Sequence, residues 1–365
     1  MRDDDPSLHP VSVIPTSPPG IGLNWVKGRE SGCYAGIVQM RCLGPDERHA
    51  SANVVRSMSG LAFEEGPGPM TRHCGHGRLL AVTVVRVCPI DRESVPEVAR
   101  FLHEQLNHRL SAEQWARVIV PPWRTDQPNH GVCLRDGDTV VGVYVTFSSD
   151  RVVGGRTRRF CNLAAWCVVE AYRAHALRLL RVLLRSGADV YTDLSPSGSV
   201  VLIDERLGFR RLDTTTSVRP NLPGRPRRSG VEVVTDMARI ASLLTGGDAE
   251  IFRDHVGAAA ARHVVVLLDG VPCYVVYRRV RRKRMPLFAS IIHVGDPRLF
   301  PRASGPLGAH LLFRGMPVLL AEHRIVGGPL ARSRTVQGRP KLFLGTDVEP
   351  ADVDDLYGEI ACVPW

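Results

Sequence analysis

The sequence predicts an α+β chain in which one order of strands and helices is laid down twice, and three observations predict it. From Cys161 to Phe209 a strand-like run, CNLAAWCVV, leads through the turn EAYRAHA into a helix-like run, then a second strand, a helix and a strand. Upstream of it lie a strand, two short helices and a hairpin. After residue 230 a similar order begins again, with Asp269-Gly270 standing where the first copy has Asp136-Gly137. At 365 residues the chain is long enough for about two domains, each with its own core.

The elements follow from local pattern. LLAVTVVRVCPI, from Leu79, is β-branched and ended by Pro, which predicts a strand. SVPEVARFLHEQL puts Val95, Val98, Phe101, Leu102 and Leu106 at helical spacing, with Ser94 as its cap; SAEQWARVI begins a second helix at Ser111. HGVCLRD and TVVGVYVTF flank Asp136-Gly137-Asp138, whose glycine supplies the positive φ of a tight hairpin turn. RRFCNLAAWCVV is the next strand, LRLLRVLLRSG a helix and ADVYTDL a strand. In the second copy VEVV, DMARIASLL, EIFRDHVG, HVVVLLDGVPCYVVY and PLFASIIHVG repeat the order. There DPRLFPRASGPLGAHLL, with Pro297, Pro301 and Pro306, reads as a loop, followed by PVLLAEHRI and a closing strand, KLFLG.

A strand that ends in a small basic turn and enters a helix builds an anion site. The first N–H groups of a helix have no partner within it, and the helix dipole adds to their pull on a phosphate. Here the turn is Tyr172-Arg173-Ala174-His175-Ala176. With Leu177, Leu179 and Leu180 behind it and Leu207-Gly208-Phe209 downstream, the stretch resembles the coenzyme A binding core of the GNAT acyltransferases. Two positions depart from that pattern: the first glycine of the turn is Ala174, and the usual Gln or Arg is Ala171. The resemblance implies a mixed, mostly antiparallel central sheet flanked by helices, in tandem, with the second copy degenerate because it lacks the Arg-x-x-x-Ala turn. The expected organisation is a Gly/Pro-rich extension over 1–77, an acyl-CoA-binding domain over 78–216, a Pro/Arg-rich linker over 217–230 and a degenerate domain over 231–365.

The resemblance also implies which residues meet the cofactor, acetyl-CoA or another acyl-CoA acting as co-substrate. They are Val168 and Val169 at the strand end, Tyr172, Arg173, Ala174, His175, Ala176 and Leu177 in the turn, and Ser197 where the family commonly has Asn. The family's usual thiolate acid is a Tyr; four residues before Gly208 this chain has Asp204, a poor acid if ionised. Glu170, at the opening of the turn, and Asp193, at the end of the next strand, are the candidate bases; each serves equally as a dipole-complementing or capping carboxylate. Cys167 sits in the apolar run AAWCVV and reads as a packing thiol.

Composition limits the alternatives. The nine cysteines form no CxxC pair, and His73-Cys74-Gly75-His76 is a lone cluster, so no metal site is expected. No apolar run is long enough to span a membrane and MRDDDPSLHP does not read as a leader, so a cytoplasmic protein is the expectation. The formal charge of +10 is almost all arginine, and its sharpest run, Arg278 to Arg284, carries no interleaved aromatics for base stacking. That run reads as a solvated hairpin end, and a nucleic-acid partner is the weaker reading. The leading expectation is transfer of an acyl group from acyl-CoA to an amine or hydroxyl of a small-molecule or peptide acceptor, by direct attack. The alternative is a non-catalytic binding protein on the same fold.

Overall fold

The computed structural model describes residues 85–127, 129–223, 230–282 and 285–365. The expected extension over 1–77 and the His73–His76 cluster lie outside them. In the first half, β1 (Val85–Pro89), α1 (Val95–Gln105), α2 (Ala112–Ile119), β2 (Gly131–Asp136), β3 (Thr139–Val153) and β4 (Arg156–Val168) precede α3 (Ala176–Leu183). Then come β5 (Val190–Asp193), α4 (Gly198–Arg206), β6 (Arg210–Arg211) and β7 (Thr215–Pro220). The second half holds β8 (Val231–Val234), α5 (Met237–Leu243), α6 (Gly246–His255), β9 (Arg262–Leu268), β10 (Val271–Arg282), β11 (Met285–Val294) and α7 (Phe300–Phe313). It ends with β12 (Val318–Glu322), α8 (His323–Val326), β13 (Arg334–Gln337), β14 (Leu342–Gly345) and the single-turn α9 (Glu359–Cys362).

These strands form two seven-stranded sheets, in the orders β1-β2-β3-β4-β5-β14-β6 and β13-β7-β12-β11-β10-β9-β8. Each has one parallel pair, β4 with β5 and β11 with β12, in an otherwise antiparallel ladder. Two strands trade places between the halves. β7 follows the first half in sequence yet pairs with β12 and β13, and β14, the expected closing strand of the second half, lies between β5 and β6. The division expected at residue 217 therefore falls inside a strand, and part of the expected linker is sheet.

Helices sit where their apolar faces require. α2 starts with a full capping box between Ser111 and Gln114 and buries Trp115, Val118 and Ile119 against one face of the first sheet. Ser94 makes no side-chain cap to α1; its own N–H is bonded to Asp91. α3 buries Leu179, Leu180 and Leu183 on the opposite face, each such leucine contributing ~1.5–3 kcal/mol. The stretch expected as a loop around Pro301 and Pro306 is instead α7. Pro301 falls in its first turn, where a missing N–H costs no bond, and six residues including Leu307 and Leu311 bury its inner face and outweigh the break at Pro306. Gly131 has φ +117° and lies so close to β3 that a Cβ would stand 2.2 Å from the Tyr144 carbonyl.

Where the chain crosses back from the second sheet to the first, four buried charges meet. Lys341 Nζ donates to Glu322 Oε1 at 2.5 Å and also to Asp355, while Arg324 donates to Glu322 Oε2 at 2.9 Å, to Asp355 and to the Val353 carbonyl. Burial pushes the Asp355 carboxyl up, but Arg324 and Lys341 outweigh it and hold the group below its ordinary value.

Candidate functional site

The site is built by the end of β4. Its parallel pairing with β5 runs from Phe160↔Val190 to Leu163↔Asp193 and stops, while β4 continues to Val168. Opposite this stretch β4 advances from Leu163 to Trp166 while β3 moves only from Thr146 to Tyr144, which is a one-residue bulge at the Ala164-Ala165 step. The bulge bends β4 away from β5 and leaves a gap between two parallel strands. Val169 N–H donates to the Val141 carbonyl at 3.0 Å, so by the alternation of an antiparallel ladder the N–H groups of Val168 and Trp166 face the gap. Of the two valines expected to meet the cofactor, Val168 keeps its N–H for a ligand and Val169 spends it on the sheet.

Beside the gap, Trp115, Val118, Ile119, Phe147, Ala164 and Val363 line an apolar seam. Val363 belongs to the C-terminal segment, which reaches across from the second half. The Glu359 N–H donates to Asn162 Oδ1 at 2.8 Å, and Trp365 packs edge-on against Trp115 with ring centroids 5.7 Å apart.

The turn after β4 is wound more tightly than an open phosphate cradle. Residues Glu170–His175 form a 3-10 helix that runs into α3, with Tyr172 N–H bonded to the Val169 carbonyl and Ala176 N–H to that of Arg173. Glu170 and Arg173 are both exposed and pair with each other at 2.8 Å. Tyr172 donates its hydroxyl to Asp136 at 2.5 Å. His175 Nδ1 lies 3.1 Å from Arg178, and burial followed by that charge lowers its affinity for a proton. Ala174 and Leu177 are exposed, Ala176 is half-buried, and Ser197 is an exposed N-cap to α4 whose hydroxyl makes no capping bond. In the second half the start of α7 is already occupied: Asp296 Oδ1 accepts from the Arg298 N–H at 2.8 Å and the Leu299 N–H at 3.4 Å.

Asp193 and Asp204, weighed separately in the sequence, are brought together. Asp193 is 5% exposed and Asp204 fully buried, so the expectation of an ordinary ionised Asp204 fails: loss of water pushes its carboxyl up. Burial raises Asp193 as well, reinforced by the negative charges of Glu359 and Asp204. Glu359, from the far half, is the third member. It accepts from Ser195 Oγ at 2.6 Å and burial pushes it up to about 7, against the pull of Ser195, Arg278 and Lys341. Glu170 is not part of this group. Nothing in the local pattern of YGEIACV marks Glu359; only the tertiary path of the C-terminal segment brings it to β5.

A carboxyl raised on folding binds more protons in the native state than in the unfolded chain, so stability falls as pH climbs from the unfolded pKa to the folded one. Between pH 4.5 and about 7, Glu359 is thus expected to cost up to ~3 kcal/mol, at ~1.4 kcal/mol per pH unit. Urea unfolding of Glu359→Gln across that range should show a flatter profile than the parent; parallel profiles would assign the charge elsewhere.

The rest of the site inventory is brief. Arg278, expected in a solvated run, is buried and donates to the Ile360 and Val363 carbonyls, whereas Arg279 and Arg281 are exposed. Cys167 is half-buried, with burial pushing its thiol up. Among the described residues no group of three or more His, Cys, Asp or Glu is placed to hold a metal ion, and no helix is long and apolar enough to cross a membrane.

No protein-family model matches the sequence, and no curated protein matches it. Solved structures similar to it include a GCN5-related N-acetyltransferase from Kribbella flavida, at 16% identity over 71% of this chain and 70% of that one, with a TM-score of 0.44. A GCN5-related N-acetyltransferase from Anabaena variabilis is 10% identical over 71% of this chain and 72% of that one, TM-score 0.47. The N-myristoyltransferase of Saccharomyces cerevisiae, solved with bound myristoyl-CoA, is 11% identical over 83% and 92%, TM-score 0.44. Similarities of this size concern the fold and leave function to the site. Two mixed, mostly antiparallel sheets with flanking helices, the parallel β4–β5 pair that splays, and the helix that follows give this chain a GNAT-like fold in tandem.

Proposed function

We propose that the first sheet binds an acyl-CoA, acetyl-CoA or a longer homologue, and that the protein transfers the acyl group to an amine or hydroxyl of a small-molecule or peptide acceptor. The observation that carries this is the β4–β5 gap with the Val168 and Trp166 N–H groups directed into it. Such groups bind the pantetheine amide of a thioester and stabilise its carbonyl oxygen as it gains charge during direct attack. Tyr172, Arg173, Ala174, His175, Ala176 and Leu177 lie at the end of this gap, where the pyrophosphate would meet the start of α3. Loss of acetyl-CoA-induced thermal stabilisation in Ala176→Glu, with the melting temperature of the free protein unchanged, is the expected result. Equal stabilisation in parent and variant would place the cofactor elsewhere.

The winding of Glu170–His175 favours a second reading, a non-catalytic protein of this fold, because 3-10 bonds already engage N–H groups of the turn. Free-thiol release from acetyl-CoA over a panel of amines separates the two: binding with thiol release supports transfer, and binding without it across the panel supports the second reading.

A further inference from the structure

We propose that Asp193, Asp204 and Glu359 act as one proton-holding unit that protonates the departing thiolate through Asp193, with Glu359 as a positioning residue supplied by the C-terminal segment. This rests on the acyl-transfer reading above. Asp193 is the last residue of β5 to pair with β4, so its carboxyl stands at the apex of the gap in which a thioester would lie. Asp204 lies against it from α4, and neither Asp204 oxygen has a protein donor among the described residues except the Asp193 carboxyl, which donates only when it carries a proton. Two buried carboxyls in contact cannot both ionise without a cation, so the pair retains a proton.

The surrounding groups supply no such cation at bonding distance. Tyr144 from β3 and Cys161 from β4 face the pair, both as neutral groups whose ionisation burial opposes. Arg278 from β10 and Lys341 before β14 reach Glu359 only at longer range: Arg278 is bonded to the Ile360 and Val363 carbonyls, and Lys341 to Glu322 and Asp355. Glu359 is itself fixed from two sides, by the Ser195 hydroxyl and by the bond from its N–H to Asn162. Its charge raises the proton affinity of Asp193 without touching the reacting atoms.

The step balances. The acceptor amine attacks the thioester carbonyl carbon, the C–S bond breaks with its electron pair left on sulfur, and the Asp193 proton passes to that sulfur. The amine proton is lost to water, and the unit takes a proton back from water. An ordinary carboxylate at this position would be deprotonated at neutral pH and unable to do this.

The test uses the full chain with free CoA as probe. The thiol of bound CoA, followed by its thiolate ultraviolet band, should titrate about one pH unit higher in the parent than in Asp193→Asn, and Glu359→Gln should lower it part of the way. Infrared spectra should show a protonated-carboxyl band at neutral pH that is weakened in Asp204→Asn and titrates at lower pH in Glu359→Gln. A merely structural Glu359 would alter stability and leave both titrations where they are. If calorimetry shows no CoA binding, the acyl-transfer reading falls and this proposal with it. If CoA binds and its thiol titrates alike in parent, Asp193→Asn and Glu359→Gln, the proposal alone is overturned.

Discussion

Replacing Lys341 with methionine is expected to lower the unfolding free energy by about 3–5 kcal/mol, read as a fall in the urea midpoint at unchanged slope. Methionine preserves most of the volume, so the loss is electrostatic. Lys341 and Arg324 together neutralise Glu322 and Asp355, with Asp355 only 2% exposed. Without the lysine, one guanidinium faces two buried carboxylates, and the uncompensated charge remains in a place water does not reach. The site ties the end of β12 in one sheet to the approach of β14 in the other, so one transition detected by fluorescence and circular dichroism alike is expected. A loss below about 1 kcal/mol would show that solvent reaches the cluster.

Val168→Pro should reduce acyl transfer from acetyl-CoA by a factor of about 10² or more, because it removes a donor aimed at the developing oxyanion. The change spares the sheet, since the Val168 N–H faces away from β3. Val169→Pro is the contrasting control: it deletes the bond to the Val141 carbonyl and should lower the melting temperature instead. Turnover measured beside thermal unfolding distinguishes the two, and unimpaired turnover in Val168→Pro would remove that N–H from the mechanism.

The sequence announced some of this well. Val95, Val98, Phe101 and Leu102 mark α1 because helical spacing places them on one buried face, and the β4–turn–α3 passage is legible because its composition switches from β-branched and apolar to small and basic. The prolines of α7 misled, since a proline in the first helical turn looks the same in sequence as one that ends a helix. The partners of β7 and β14 were beyond reach for a different reason: alternation reports that a segment is a strand and which face it buries, never which strand it lies beside. The same holds for the carboxyl cluster. Asp204 was judged by its ordinary chemistry, and its chemistry here is set by complete burial beside Asp193 and Glu359, groups that distant parts of the chain deliver.

The exchange of β7 and β14 sets the order in which the protein can be finished during synthesis. The ribosome releases β1 to β6 first, but the slot between β5 and β6 stays open until Leu342–Gly345 emerges, long after the rest of that sheet is available to fold. Meanwhile β7 waits for β12 with its N–H and C=O groups unpaired. A nascent chain stalled anywhere between these points presents two strand edges ready to pair with a neighbour, so this protein is expected to need a holding chaperone on the ribosome more than its size suggests.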